Sequence, residues 1–162
     1  MLDRCSHALA SYKDEFILAT GGKILGRITA IAEVYSVSDN RWSLIPDMNV
    51  ERSDHGSCAV ENYVYVACGL SSRYYKYLQG IERINMNAID DGWEKIDLYY
   101  SLLSPRSQIF MAGLSCDELV IIGGHGIEGL RGDAYILNIP QMCLVTVIGD
   151  KEERIRFAAL RN

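Results

Sequence analysis

A recurring arginine sets the plan of this chain. Arg4-Cys5-Ser6-His7 returns as Arg52-Ser53-Asp54-His55 and then as Arg106-Ser107-Gln108-Ile109, at steps of 48 and 54 residues. A glycine stands 17 positions after each arginine, at Gly21, Gly69 and Gly123. In the first and third copies it opens a pair, Gly21-Gly22 and Gly123-Gly124, whereas the second copy reads Gly69-Leu70. Trp42 and Trp93 are 51 apart, and the third copy has no tryptophan. Arg154, 48 beyond Arg106, opens Arg154-Ile155-Arg156-Phe157-Ala158, which resembles the other openings. A period near 50 residues marks stacked units, each burying apolar surface only against its neighbours. The repeats so defined run 4–51, 52–105 and 106–153, with the start of a fourth at 154–162, in a single incomplete domain.

Within each repeat the apolar runs are strand-sized. The first predicts strands at Cys5–Ala10, Phe16–Thr20, Ala32–Val37 and Trp42–Ile45, separated by Lys13-Asp14 and Ser38-Asp39-Asn40 turns. The second predicts Gly56–Val60, Tyr63–Cys68, Ile81–Met86 and Trp93–Asp97, its first two strands joined by the two-residue turn Glu61-Asn62. The third predicts Ile109–Leu114, Glu118–Ile122, Ala134–Ile139 and Cys143–Ile148. Tyr63-Val64-Tyr65-Val66 alternates, while Leu119-Val120-Ile121-Ile122 is apolar throughout, the pattern of a strand covered on both faces. No window carries a helical period, so the expected class is all-β.

Composition narrows the function. Of 162 residues 49% are apolar, enough for a core. The formal charge of −5 and the pI near 5.2 oppose the basic stripe that nucleic-acid binding requires. Apolar runs fall far short of the roughly 20 residues that carry a helix across a bilayer, so no membrane partner is expected. Met1-Leu2-Asp3-Arg4 leads into polar sequence rather than an apolar signal segment. Five cysteines, with no C-x-x-C among them, then read as reduced thiols in the cytoplasm or nucleus.

Phe16-Ile17-Leu18-Ala19-Thr20-Gly21-Gly22, then Glu33-Val34-Tyr35-Ser36, then Trp42-Ser43-Leu44-Ile45-Pro46-Asp47-Met48 follow one another in the first repeat. This order resembles the kelch repeat, and the resemblance covers essentially the whole chain. The second copy keeps Arg52, His55 and Trp93 but has Ile84 where Tyr35 aligns; the third keeps Arg106, Gly123, Gly124 and Tyr135. The resemblance implies a partial kelch-type β-propeller of about three four-stranded antiparallel blades. Paired glycines let the backbone leave a strand at dihedrals closed to other residues. Each tryptophan supplies flat apolar surface between blades and an indole N–H for a carbonyl.

Propellers close with about 4–8 blades. Three blades and the first strand of another would leave an apolar face open at each end. A fragment, a two-fold pair of copies making six blades, or another chain supplying the remainder would resolve this. The halt just after a repeat has begun favours the fragment.

In kelch propellers the loops entering the first strand and those after the glycine pair share the face that receives a partner. Carried over by position, Arg52 and Asp54, then Arg106 and Gln108, are the candidates there, with Arg4 their counterpart. Arginine grips carboxylates bidentately, although an arginine at one place in every blade also suits bracing of neighbouring turns. The connection Ser71-Ser72-Arg73-Tyr74-Tyr75-Lys76-Tyr77-Leu78-Gln79-Gly80 adds three tyrosines and two cations, the side chains that dominate interface hot spots. Arg73, Tyr74, Tyr75 and Tyr77 therefore join the set, as an aromatic and locally basic pocket for another protein or an acidic peptide.

His7 and His55 share a repeat position, which assigns them a structural role. Gly123-Gly124-His125-Gly126 lacks the lysine and the helix of a phosphate loop. His55 and Cys68 could be neighbours, but two ligands do not hold zinc, and no nucleophile elbow is present. No catalytic residue, metal or cofactor is expected. The expected function is a protein-interaction module, a substrate-adaptor or scaffold; the alternatives are a propeller enzyme acting on a small molecule in a central channel, and a fragment with no independent role.

Overall fold

The computed structural model describes residues 1–73, 76–98 and 103–148. Tyr74, Tyr75 and the expected start of a fourth repeat at 154–162 lie outside the described residues. The first repeat contains β1 (Ala8–Tyr12), β2 (Phe16–Thr20), β3 (Lys23–Ile24), β4 (Arg27–Ile28), β5 (Ala32–Ser36) and β6 (Arg41–Ile45). The second contains β7 (Gly56–Val60), β8 (Tyr63–Ala67), β9 (Leu70–Ser71), β10 (Lys76–Tyr77), β11 (Ile81–Asn85), a short 3-10 turn at Ile89–Asp91, and β12 (Trp93–Ile96). The third contains β13 (Phe110–Gly113), β14 (Glu118–Ile122), β15 (His125–Gly126), β16 (Gly129–Leu130), β17 (Ala134–Asn138) and β18 (Cys143–Ile148).

Each repeat is one four-stranded antiparallel sheet, ordered β1-β2-β5-β6, β7-β8-β11-β12 and β13-β14-β17-β18. This is the expected all-β arrangement of three blades, and the long strands fall on the apolar runs that predict them. The largest displacement is at β1, which starts at Ala8 rather than Cys5. Cys5 leaves the sheet to bridge Lys23, and Ser6 turns the chain at φ 55°. Between the second and third long strands of every blade the chain forms a further hairpin, β3-β4, β9-β10 and β15-β16. Two-residue strands are too short for alternation to register, so the sequence reads them as loops.

The blades stack in chain order through their first strands, β1 on β7 and β7 on β13. One core joins Ala10, Leu18, Ala32 and Met48 of blade 1 to Val64, Val66, Ile84 and Trp93 of blade 2. A second joins Cys58, Val60, Tyr65, Ala67 and Ile81 of blade 2 to Met111, Leu119, Ile121, Leu137 and Leu144 of blade 3. Blade 2 is thus covered on both faces, and β8 is buried from Val64 to Ala67 although its sequence alternates. In β1 only Ala8, Ala10 and Tyr12 are buried, because the other face of blade 1 has no described neighbour. Trp93 does what its type predicts: it is buried between blades 1 and 2 and its indole N–H donates to Pro46 O at 2.9 Å. Trp42 lies on the open face of blade 1, half-buried and tilted against Tyr35 with ring centroids 5.3 Å apart.

The structure corrects two alignments. The counterpart of Gly21-Gly22 in blade 2 is Cys68-Gly69, not Gly69-Leu70. Gly21, Cys68 and Gly123 have φ of 58, 61 and 65°, and Gly22, Gly69 and Gly124 have 89, 103 and 107°. Gly22 N donates to Arg52 O and Gly69 N to Arg106 O, each at 2.8 Å, which fixes the equivalence. The second correction concerns Tyr135. Strand pairing sets Tyr35 opposite Ile17, Ile84 opposite Val64 and Leu137 opposite Leu119, so Leu137 is the counterpart of Tyr35. Tyr135 occupies the place of Glu33 and Glu82.

Candidate protein-interaction face

The repeated arginines lie inside the blades and tie them together. Arg52 is 1% exposed; its Nη1 donates to Cys68 O at 2.8 Å and Gly80 O at 3.2 Å, and its Nη2 to Glu82 Oε1 at 2.5 Å. Arg4 repeats the pattern on Gly21 O, Ile31 O and Glu33. In blade 3, where Tyr135 replaces the glutamate, Arg106 pairs instead with Asp133, Nη1 to Oδ1 at 2.5 Å and Nη2 to Oδ2 at 3.0 Å. That hydrogen bonding holds the Asp133 carboxyl below its usual range. Tyr135 donates to Asp133 at 2.7 Å, and its own hydroxyl is pushed up to about 12 by burial and by that carboxylate. Each guanidinium closes the turn of its own blade, while the backbone carbonyls of Arg52 and Arg106 accept from the blade before, from Gly22 N and Gly69 N. With their forks so engaged, Arg52 and Arg106 are buried side chains that brace the turns of their own blades.

Asp54 and Gln108 sit on the inner rim between blades. Both have left-handed backbone, φ 54 and 55°, as does Ser6. Asp54 N donates to Ser6 O and Gln108 N to Asp54 O, so the three form a hydrogen-bonded chain from blade to blade. Gln108 is exposed, and Asp54 is half-buried with its carboxylate 3.9 Å from Lys23 Nζ.

Beside this rim the three short hairpins stand in a row. Each follows the left-handed pair and is pinned by a bridge to the segment entering its own blade, Cys5 to Lys23, Ser53 to Leu70 and Ser107 to His125. The two outer hairpins carry apolar side chains into water: Leu25 is 97% exposed, Ile127 91% and Leu130 88%. Tyr77, at the base of the central hairpin, meets His125 of the next, hydroxyl to Nδ1 at 2.8 Å with ring centroids 5.9 Å apart. Arg73 is exposed, and its backbone N–H donates to Glu51 Oε1 at 2.6 Å. Burial alone would raise the Glu51 carboxyl, but that amide and the Ser72 and Ser71 hydroxyls outweigh it and hold the group below its ordinary value.

Two clefts open beside the central hairpin. One, of about 290 Å³, is lined by Ile28, Ala30, Asn49, Val50, Glu51 and Arg73. The other, about 330 Å³, is lined by Val50, Lys76, Tyr77, Leu78, Gln79 and Pro105. Of the residues singled out from sequence, Arg73 and Tyr77 line these clefts, Asp54 and Gln108 lie on the adjoining rim, and Arg52 and Arg106 are buried beneath. Leu25, Ile127 and Leu130 escaped sequence reading, although an apolar residue beside a turn glycine, as in Leu25-Gly26 and Ile127-Glu128-Gly129, is a usable signal of an exposed tip.

Among the described residues no group of three His, Cys, Asp or Glu side chains could hold a metal ion, and no helix is long and apolar enough to cross a membrane. His55 is fully buried and bonded to Thr20 Oγ1 at 2.9 Å; burial, then Arg52 and His7, depress it well below 6.5. The five cysteines are free thiols.

Three successive four-stranded antiparallel sheets, braced by an arginine and joined through a left-handed pair, define a segment of a kelch-type β-propeller. Comparison with known proteins agrees. The chain is 31% identical over 99 residues to "Kelch repeat and BTB domain-containing protein 2" of cowpox virus (strain Brighton Red), which is 60% of this chain and 17% of that protein. It is 32% identical over 76 residues to the protein of the same name in ectromelia virus (strain Moscow), 47% of this chain and 13% of that protein. An F-box/kelch-repeat protein of Arabidopsis thaliana is 33% identical over 69 residues, 43% of this chain and 16% of that protein. No family model matches the chain. The chain is thus similar to kelch-repeat proteins, and its matched part spans less than a fifth of each of these relatives.

Proposed function

We propose that this chain is a protein-interaction module that receives a partner protein on the row of hairpins. The observation that carries the reading is the pair of outer hairpins tipped by Leu25, Ile127 and Leu130, side chains that contribute nothing to the core and stand almost wholly in water. They flank a central hairpin bearing Arg73 and Tyr77, and aromatic and arginine side chains set in clefts are what anchors protein interfaces. The partner is a peptide segment or loop with aliphatic residues for the tips and an acidic group for Arg73. Tyr74 and Tyr75, outside the described residues, belong to the same connection in sequence. Asp54 and Gln108 form its inner border. The kelch relatives that carry BTB or F-box in their names support an adaptor role; a cytoplasmic or nuclear location accords with five reduced thiols.

Selection of random displayed peptides on the folded chain tests this. Enriched peptides are expected to lose at least tenfold in affinity for a Leu25→Ser, Arg73→Glu, Ile127→Ser variant and to bind a Leu44→Ser variant on the opposite part of blade 1 unchanged. Binders indifferent to the hairpin changes would sink the assignment.

A further inference from the structure

The two seams between blades share one set of hydrogen bonds but are filled differently. Between blades 1 and 2, Gly22 N donates to Arg52 O at 2.8 Å, Arg52 N to Thr29 O at 3.2 Å and Asp54 N to Ser6 O at 2.8 Å. Between blades 2 and 3, Gly69 N donates to Arg106 O at 2.8 Å, Arg106 N to Leu78 O at 3.0 Å and Gln108 N to Asp54 O at 2.6 Å. The side chain that follows each arginine by three positions enters the seam, His55 in the first and Ile109 in the second. The residue just before the left-handed pair changes with it, from Thr20 in blade 1 to Ala67 in blade 2. The first seam therefore closes on a polar pair and the second on an apolar one.

His55 is 6% exposed. Its Nε2 is bonded to Thr20 Oγ1 at 2.9 Å, and its Nδ1 has no hydrogen-bond partner among the described residues. A Cβ added to Gly21 would come within 2.8 Å of His55 Cε1, so the ring fills the space against blade 1. The charged groups that reach it are Arg52 of its own blade, itself paired with Glu82, and His7 of blade 1. Both oppose a positive charge on the ring. Around His7, Arg4 opposes such a charge and Glu33 favours it. At the rim of the same seam Lys23 Nζ lies 3.9 Å from Asp54 Oδ2.

The consequence follows from where the proton can go. With the seam shut, burial and the fields of Arg52 and His7 hold the imidazole well below the ordinary histidine value. With the seam open the ring stands in water and takes up a proton as the pH falls through about 6.5. Only the open form gains that proton, so acid shifts the balance toward it. Ile109 and Ala67 give the second seam no such group. A stack held by nearest-neighbour contacts lets one seam open without the other.

We propose that the seam between blades 1 and 2 is an acid-sensitive joint, which opens locally as the pH falls while the seam between blades 2 and 3 stays shut. The cleft lined by Ile28, Ala30 and Arg73 spans the first seam, with Ile28 and Ala30 on blade 1 and Arg73 on blade 2, so opening parts its two sides. The joint is a property of the stack and stands whether or not the hairpin row receives a partner.

Amide exchange of the whole chain, read by NMR at pH 7.5 and 5.5 with each rate divided by that of unstructured chain at the same pH, tests this. Protection of the Gly22, Arg52 and Asp54 amides is expected to fall about tenfold between the two pH values, while that of Gly69, Arg106 and Gln108 changes by less than about twofold. In His55→Gln the fall at the first seam should disappear. Equal losses at both seams would overturn the proposal, because acid would then unfold the chain as a whole. Constant protection of Gly22, Arg52 and Asp54 would overturn it as well. A full tenfold fall persisting in His55→Gln would remove His55 from the joint. Should that variant fold poorly, the comparison of the two seams within wild type still decides between the outcomes.

Discussion

Arg52 and Glu82 are an ion pair 1 and 2% exposed on their side chains, a costly arrangement unless every lone pair and proton is used. Here most are: two carbonyls accept from the guanidinium, and the backbone N–H groups of Asn49 and Val50 donate to the carboxylate. The recurrence of arginine was plain in the sequence; its partner was not, since the acid lies 30 residues away and becomes Asp133 in the third blade. His55 adds a pH dependence to the same interface. Its folded state resists protonation because the ring is buried and faces the charges of Arg52 and His7. The unfolded chain takes up that proton as pH falls through about 6.5, so the folded state loses stability below that value by up to about 1.4 kcal/mol per pH unit. His7, also lowered by burial and by Arg4, acts in the same sense. Urea midpoints are expected to fall between about pH 7.5 and pH 5.5, and His55→Gln should flatten the slope. A variant as steep as wild type would show that another group governs it.

The long strands were legible because a four- to six-residue apolar run between turn signals survives any small error of register. The hairpins and the left-handed pair were not, and the reason lies in what the backbone is asked to do. Alignment on glycine identity put Gly69 with Gly21, whereas the position is defined by a carbonyl facing arginine and a left-handed φ, which Cys68 supplies as well. The two requirements on such a site, conformation and space, are separable. Gly21 and Gly26 have φ of 58 and 78°, so a side chain at either costs about 1 kcal/mol of backbone strain. A Cβ at Gly26 meets nothing, while one at Gly21 would lie 2.3 Å from Arg52 O and 2.8 Å from His55 Cε1. Gly26→Ala is therefore expected to lower stability by about 1 kcal/mol and Gly21→Ala by about 3 kcal/mol or more, because the second must also part blades 1 and 2. Denaturant unfolding of both variants checks the difference, and equal losses would mean that conformation alone sets the pair.

At the scale of the whole molecule, blade 2 is the one blade covered on both faces by described residues, and two of the five thiols measure that enclosure. Cys58 faces blade 3 and Cys68 lies at the left-handed turn; both are buried, and burial pushes each thiol up to about 12. At neutral pH almost no thiolate forms at either site, and no reagent reaches it without opening the stack. Cys5 and Cys116 are exposed at the edges of blades 1 and 3. A thiol reagent in native buffer is expected to modify Cys5 and Cys116 first and to leave Cys58 and Cys68 intact. With rising urea the two buried thiols should then react together, at the midpoint seen by tryptophan fluorescence, since Trp93 lies on the opposite face of the same blade. Separate midpoints would mean that blade 3 leaves before blade 2 unfolds, as nearest-neighbour stacking permits when one interface is weaker than the other. Modification of Cys58 at the native rate of Cys5 would be the more damaging result, because the core that joins blades 2 and 3 could not then be closed in solution.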